Sequence, residues 1–256
     1  MWTLYKQESF KLLKKKSTLW VSIVLALIVF GFALTSRLQP KYFSASGLFA
    51  SNFGATTFIM FFLIAAAASI ITMEFQYGTI KTVVSQRYSR SSILISKWLV
   101  ILTYSLYMYI MTGVLTLIAK FIFVNSKFSL TDAGYNNKIW QDWLANLGAG
   151  LLTLWLLISL VFLLATLFKS SAVAISVGIL GYFVLNIVSS IMFILIHSHE
   201  WLKWNPINFL NYASQIVEPS LSKMTRLSDT QLLWGNIGYI AVFLCIGLLL
   251  FRKRNV

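Results

Sequence analysis

The stretch WLANLGAGLLTLWLLISLVFLLATLF, residues 143–168, contains no charged side chain over its whole length. A helix needs about 20 apolar residues to cross the roughly 30 Å hydrocarbon core of a bilayer. Working outward from this stretch, five further runs of the same kind are found. The six runs cover residues 18–35, 53–73, 98–119, 143–168, 172–196 and 231–251. We therefore predict an all-α integral membrane protein with about six transmembrane helices.

The composition agrees with this prediction and excludes two other classes of protein. Hydrophobic residues make up 58% of the 256 residues and charged residues 11%, whereas a soluble domain carries about 25% charged residues. A transmembrane β-barrel is built from short strands that alternate apolar and polar residues, unlike these continuous runs. The net charge of +14 could indicate nucleic-acid binding, but the basic residues cluster at the ends of the runs. We expect a lipid bilayer as partner and no nucleic acid.

The orientation follows from the lysine and arginine residues near the ends of the runs, because cytoplasmic segments are enriched in them. Thirteen of the 21 basic residues fall on one side. They are Lys6, Lys11, Lys14, Lys15, Lys16, Lys81, Arg87, Arg90, Lys97, Lys169, Arg252, Lys253 and Arg254. An even number of spans then predicts that both termini are cytoplasmic. No internal repeat and no low-complexity linker divides the chain, so we predict that residues 1–256 form a single transmembrane domain.

Residues 1–16 have the pattern of an amphipathic helix at the membrane surface. At about 100° per residue, one broad face collects apolar and aromatic side chains, and basic and polar residues, Glu8 among them, fall opposite; Leu4 breaks the pattern. Such a helix suits the headgroup region. The face predicted to contact the membrane consists of Trp2, Tyr5, Phe10, Leu12 and Leu13. The alternative is a solvated basic leader with no interfacial role.

The segment between the second and third runs, residues 74–97, reads EFQYGTIKTVVSQRYSRSSILISK. It is longer than a connection between two spans requires, it is basic, and it is compatible with a helix. A topogenic loop without a partner is one interpretation. The other is a cytoplasmic segment that docks a soluble protein.

This segment resembles the corresponding part of the small six-span permeases of the type-2 exporter superfamily of ABC transporters. The residues that match the family pattern are Glu74, Gly78, Thr79, Lys81, Ser89, Arg90 and Lys97. Tyr88 stands where the family often has a proline. The resemblance extends to the basic leader, the six spans, the long external segment 197–230 and the short basic tail.

The resemblance implies a half-transporter in a bacterial cytoplasmic membrane. Two membrane subunits, two copies or a copy and a paralogue, would pair, and each would engage a separate ATP-binding cassette subunit that holds ATP and Mg. The residues implied in coupling to that subunit are Glu74, Tyr77, Gly78, Thr79, Lys81, Arg87, Ser89, Arg90 and Lys97. No cofactor is expected in this chain.

The motifs that the chain lacks favour the same function. It has no G-x-x-x-x-G-K-[ST] phosphate loop and no charged residue well inside a run, so we expect the driving energy to come from a partner ATPase. We predict the permease of an exporter of hydrophobic or amphipathic compounds, such as antimicrobial peptides or drugs. The alternative is a non-transporting membrane sensor or assembly subunit. An intramembrane enzyme would need a catalytic pair within the runs, and none is found.

Two features lie near the outer end of the fifth run. His197, His199 and Glu200 could bind a metal, but with no clear fourth ligand we interpret them as an ordinary polar interface. Residues 197–230 are too apolar for a freely solvated loop. We therefore predict that this segment partly re-enters the membrane and forms an outer gate.

Overall fold

The computed structural model describes residues 2–78 and 88–253, and within these ranges the chain is helical with no strand. Six of the helices are long and apolar enough to cross a membrane, which confirms the predicted all-α fold class. The helices are α1 Trp2–Lys14, α2 Lys16–Leu38, α3 Ala45–Ala50, α4 Ala55–Gln76, α5 Arg90–Phe123, α6 Ile139–Ala165, α7 Ser171–Ser198, α8 Pro206–Phe209, α9 Tyr212–Val217, α10 Ser222–Thr225 and α11 Asp229–Lys253. The spanning helices are α2, α4, α5, α6, α7 and α11.

The six spanning helices pack as a bundle in which α4 contacts α5, α6 and α7, and α6 packs extensively on α11. Contacts between helix ends show which ends share a side. Thr72 near the end of α4 donates to Ser171 at the start of α7 at 2.9 Å, and Arg90 at the start of α5 donates to the carbonyl of Arg252 at 3.1 Å. These ends and α1 lie on one side of the bundle, here called the amino-terminal side. It is the side that the basic residues predict to be cytoplasmic.

The start of α4 on the opposite side is set by three consecutive residues in the left-handed region. Asn52, Phe53 and Gly54 have φ angles of 54°, 49° and 76°. The Asn52 side chain is buried, and its Oδ1 accepts a hydrogen bond from Nε1 of Trp143 in α6 at 2.8 Å. Asparagine and glycine adopt this conformation more readily than other residues. The turn thus anchors α4 to α6 where the chain re-enters the bundle.

The helix bounds differ from the predicted runs mainly around residues 74–97. The α4 helix continues through Glu74 to Gln76, and α5 begins at Arg90, so only residues 77–89 separate the two helices. The predicted runs stopped at residues 73 and 98 because Glu74 and Lys97 are charged. In the structure these two charges neutralise each other, so both helices extend past them. In α6 the helix ends at Ala165, slightly before the predicted residue 168.

The segment between α7 and α11 is folded against the bundle. It consists of a 3-10 helix at Glu200–Trp204, the short helices α8, α9 and α10, and a 3-10 helix at Pro219–Leu221. Phe209, Tyr212 and Leu227 are buried with residues of α6 and α11 in a second hydrophobic cluster. Nδ2 of Asn236 in α11 donates to the carbonyl of Phe209 at 2.9 Å. The apolar residues of this segment therefore cover the ends of α6 and α11. Its partial re-entry into the membrane as an outer gate stays a prediction.

Candidate functional site

A buried cluster of charges joins α1, α4 and α5 on the amino-terminal side. Lys97 is 1% exposed, and its ammonium group donates to Oε2 of Glu8 at 3.0 Å and to Oε1 of Glu74 at 2.8 Å. Lys11 completes the cluster, since its Nζ lies 2.5 Å from Oε1 of Glu8 and 3.9 Å from Oε1 of Glu74. We call Glu8, Lys11, Glu74 and Lys97 the charge cluster.

Helical spacing places each member of the charge cluster. Leu4 and Glu8 are one turn apart and form the face of α1 that is buried against the bundle. Glu74 lies in the last turn of α4, and Lys97 lies about two turns after the start of α5. With 34 residues, α5 is about 51 Å long at 1.5 Å per residue and extends beyond the hydrocarbon core. The cluster therefore lies near the end of the spans, next to residues 77–89.

The electrostatics of the cluster favour the ionised form of Glu8. Burial by itself raises the pKa of Glu8, but the charges and hydrogen bonds of Lys97 and Lys11 outweigh burial and hold that pKa below its ordinary value of 4.5. Glu74 is also buried, and its Oε2 has no hydrogen-bond partner among the described residues. The charges of the two carboxylates and the two ammonium groups balance. Oε2 of Glu74 can still accept a hydrogen bond from another donor.

The residues implied in coupling separate into two groups in the structure. Glu74 and Lys97 are buried in the charge cluster. The others that the structure describes lie just after α4 or at the start of α5: Tyr77 and Gly78 are exposed after α4, Oγ of Ser89 accepts from the backbone of Ser92 and caps α5, and Arg90 contacts the end of α11. The remaining three, Thr79, Lys81 and Arg87, lie outside the described residues.

The predicted membrane face of α1 is divided in the structure. Trp2, Phe10 and Leu13 are exposed, as expected of side chains that contact lipid. Tyr5, stacked on Trp2, and Leu12 are half-buried.

Sequence reasoning missed Glu8 as a member of the site. It placed Glu8 on the solvated polar face of α1 and treated Leu4 as a break in the pattern. The structure shows the reverse, because Leu4 and Glu8 together face the bundle. The signal that could have found them is the spacing of four residues that relates Leu4, Glu8 and Leu12 and places them along one face of α1.

Two of the three residues considered for metal binding, His197 and Glu200, contact basic side chains. Nη2 of Arg226 lies 3.3 Å from Nδ1 of His197, and Lys203 forms an ion pair with Glu200 at 2.8 Å. That pair lowers the pKa of the exposed Glu200 carboxyl, first through the hydrogen bond from Lys203. In the part of the chain that the structure describes, no group of three histidine, cysteine or acidic residues is placed to hold a metal ion.

Residues 10–256 match the family model described as "Protein of unknown function (DUF2705)", so the chain belongs to that family. No curated protein matches the chain.

Proposed function

We propose that this DUF2705 member is the membrane-spanning permease subunit of an ATP-driven exporter, moving a hydrophobic or amphipathic compound with energy from a separate ATP-binding subunit. The observation that carries the proposal is the charge cluster. It ties α4 and α5, which hold Glu74 and Lys97 at the two ends of the segment 74–97 that resembles a permease's ATPase-docking segment, to α1.

The charge cluster supplies a mechanical connection for such a subunit. A protein docked on residues 77–89 would displace the end of α4 and the start of α5 together, because Lys97 bridges Glu74 and Glu8. Since α4 is packed on α5, α6 and α7, its displacement would reach most of the bundle. The buried ion pairs resist separation, because breaking one leaves an unpaired charge at a cost of several kcal/mol, roughly 3–5. The three helices are therefore expected to move as a unit.

The exposed surface of the fifth spanning helix, α7, is the observation that favours a second membrane subunit in this proposal. Along its most apolar 18 residues only 11% are buried, compared with 17% in α11 and 56% in α6. Asn186, near the middle of α7, is exposed, and its amide donates to the Tyr182 carbonyl of its own helix at 2.8 Å. Polar side chains within spans usually face other helices, where they bond across the interface. We therefore place the contact with a second copy or a paralogue on this face.

Cross-linking tests that contact. In a Cys245→Ala background, oxidation of an Asn186→Cys variant is expected to give a covalent dimer, whereas an Ile110→Cys variant, exposed on α5, is not. Equal cross-linking at both positions, or none at either, would exclude α7 as the interface of two copies.

The proposal itself is tested by affinity purification from the native membrane in mild detergent, followed by mass determination and an ATPase assay. Recovery of an ATP-binding protein with two copies of each subunit is expected. Charge reversal at Lys81 and Arg87 should release that protein, while reversal at Arg37 and Lys41, exposed on the other side of the bundle, should not. If the chain is recovered without an ATPase even after cross-linking, the sensor or assembly subunit becomes the better explanation.

A further inference from the structure

A cavity of about 830 Å³ opens beside the charge cluster on the amino-terminal side. It lies between α1, α2, α4 and α5, with Ile175 of α7 at one edge. Sites for small molecules in proteins enclose roughly 300–1,000 Å³. The cavity is therefore large enough for one amphipathic molecule.

The wall that α4 contributes is mostly apolar and one leaflet high. Glu74 of the charge cluster lies at its end, and the lining residues before it lie on one face of the helix, at the spacing of three and four residues: Phe62, Ala65, Ala66, Ser69, Ile70 and Met73. At 1.5 Å per residue, the rise from Phe62 to Met73 is about 16 Å. That is about half of the roughly 30 Å hydrocarbon core. Small residues at positions 65, 66 and 69 create the space, so an extended acyl chain fits along this face.

The rim of the cavity is basic. Lys11 and Lys14 of α1, and Lys15 directly after it, line the cavity. The negative charges of Glu8 and Glu74 are matched by Lys11 and Lys97 within the charge cluster. Lys14 and Lys15 are exposed and form no ion pair with any acid that the structure describes. The rim therefore carries two positive charges with no carboxylate partner among the described residues; the ammonium group of Lys14 lies 5.7 Å from the centre of the Phe10 ring.

We propose that this cavity binds one anionic phospholipid of the leaflet on which α1 lies, with an acyl chain along α4 and the phosphate at Lys14 and Lys15. A soluble anion would leave the apolar wall unfilled, and a lipid without net charge would leave the two lysines unmatched. The inference goes beyond the proposed function and does not rest on it, because the cavity and its rim are the same in a transporter or a sensor.

The test is a titration of the delipidated full-length protein in non-ionic detergent, followed by native mass spectrometry. The probes are phosphatidylglycerol, phosphatidylcholine and inorganic phosphate. One phosphatidylglycerol is expected to bind more tightly than phosphatidylcholine. Each basic residue near an anionic surface contributes about a five-fold gain in binding, so a Lys14→Ala/Lys15→Ala variant should bind phosphatidylglycerol about 30-fold more weakly. Both lysines are exposed, so the fold should persist.

Two matched variants complete the test. Lys6→Ala/Lys16→Ala removes the same charge from exposed positions that do not line the cavity. Its affinity for phosphatidylglycerol should stay within about three-fold of the wild type, which is less than the roughly five-fold effect of one lysine. Ala66→Phe should fill the cavity and exclude the lipid, while Ala241→Phe, exposed on α11, should not. Equal loss in the two lysine variants, retention of the lipid by Ala66→Phe, or displacement of the lipid by inorganic phosphate would each overturn the inference.

Discussion

Replacement of Lys97 by methionine tests whether the charge cluster holds α1 on the bundle. The ammonium group of Lys97 is bound by two buried carboxylates, at 3.0 and 2.8 Å. Its removal leaves Glu74 with only the more distant Lys11, at 3.9 Å. Removing one partner of a buried ion pair costs about 3–5 kcal/mol. We expect a loss near 3 kcal/mol, at the lower end of that range, because Glu8 keeps its bond with Lys11.

The matched control is the same substitution at the other end of the same helix. Lys120 is also buried, but its partners are the amide oxygen of Asn125 at 2.7 Å and two aromatic rings. Because no carboxylate is left unpaired, Lys120→Met should cost only about 1 kcal/mol. The double variant Lys97→Met/Glu74→Gln should recover part of the loss, because the unpaired charge is removed.

The assay is unfolding of the purified protein in mixed micelles by titration with a denaturing detergent, followed by tryptophan fluorescence. The free energies of unfolding of the wild type, Lys97→Met, Glu74→Gln and Lys97→Met/Glu74→Gln give the coupling between Lys97 and Glu74 as a double-mutant cycle. A cost for Lys97→Met no larger than that for Lys120→Met would refute the reasoning. The same conclusion would follow if the double variant were no more stable than Lys97→Met.

Three further predictions concern other parts of the structure and use the same unfolding assay. Folding lowers the pKa of Glu8, so the stability that its ionised form contributes is complete above pH 4.5 and is lost as the pH falls below 4.5. Glu8→Gln should reduce this loss of stability at low pH. An unchanged dependence of stability on pH in Glu8→Gln would contradict the prediction. Gly54→Ala should destabilise the protein by about 1 kcal/mol because alanine is strained at a φ of +76°, whereas Gly31→Ala inside α2 should be neutral or stabilising. Equal effects of the two substitutions on the free energy of unfolding would contradict backbone strain at residue 54. Gly235→Ala should cost about 1–3 kcal/mol because the phenyl ring of Phe209 occupies the space of the new methyl group, whereas a methyl group at Gly238 on the same helix meets nothing. A tolerated Gly235→Ala would argue against that packing.

The spans could be predicted from sequence because their signal is local. Residues 143–168 contain enough consecutive apolar side chains to cross a bilayer, and no tertiary contact is needed to recognise this. The helix ends were less predictable. Glu74 and Lys97 ended the predicted runs because a single charge is costly in an apolar environment, yet each lies inside a helix in the structure. Their mutual neutralisation depends on two residues 23 positions apart coming together.

The candidate site was only partly predictable for a related reason. Glu74 and Lys97 were selected through the resemblance to permeases, whereas Glu8 was assigned to a solvated face. The periodicity of α1 shows which residues share a face, but not which of its faces is turned toward the bundle. Leu4 and Glu8 are buried because α1 packs on α5, where Lys97 forms an ion pair with Glu8.

By itself the sequence determined the fold class, the six spans and the concentration of basic residues on one side, since each depends on hydropathy and charge along the chain. Only the tertiary structure decided that Glu8, Glu74 and Lys97 meet, that the Asn52 turn anchors α4 to α6, and that a cavity one leaflet high lies beneath a lysine rim. The physical reason is that ion pairs, hydrogen bonds and cavities depend on distances between separate helices. Local patterns do not specify those distances.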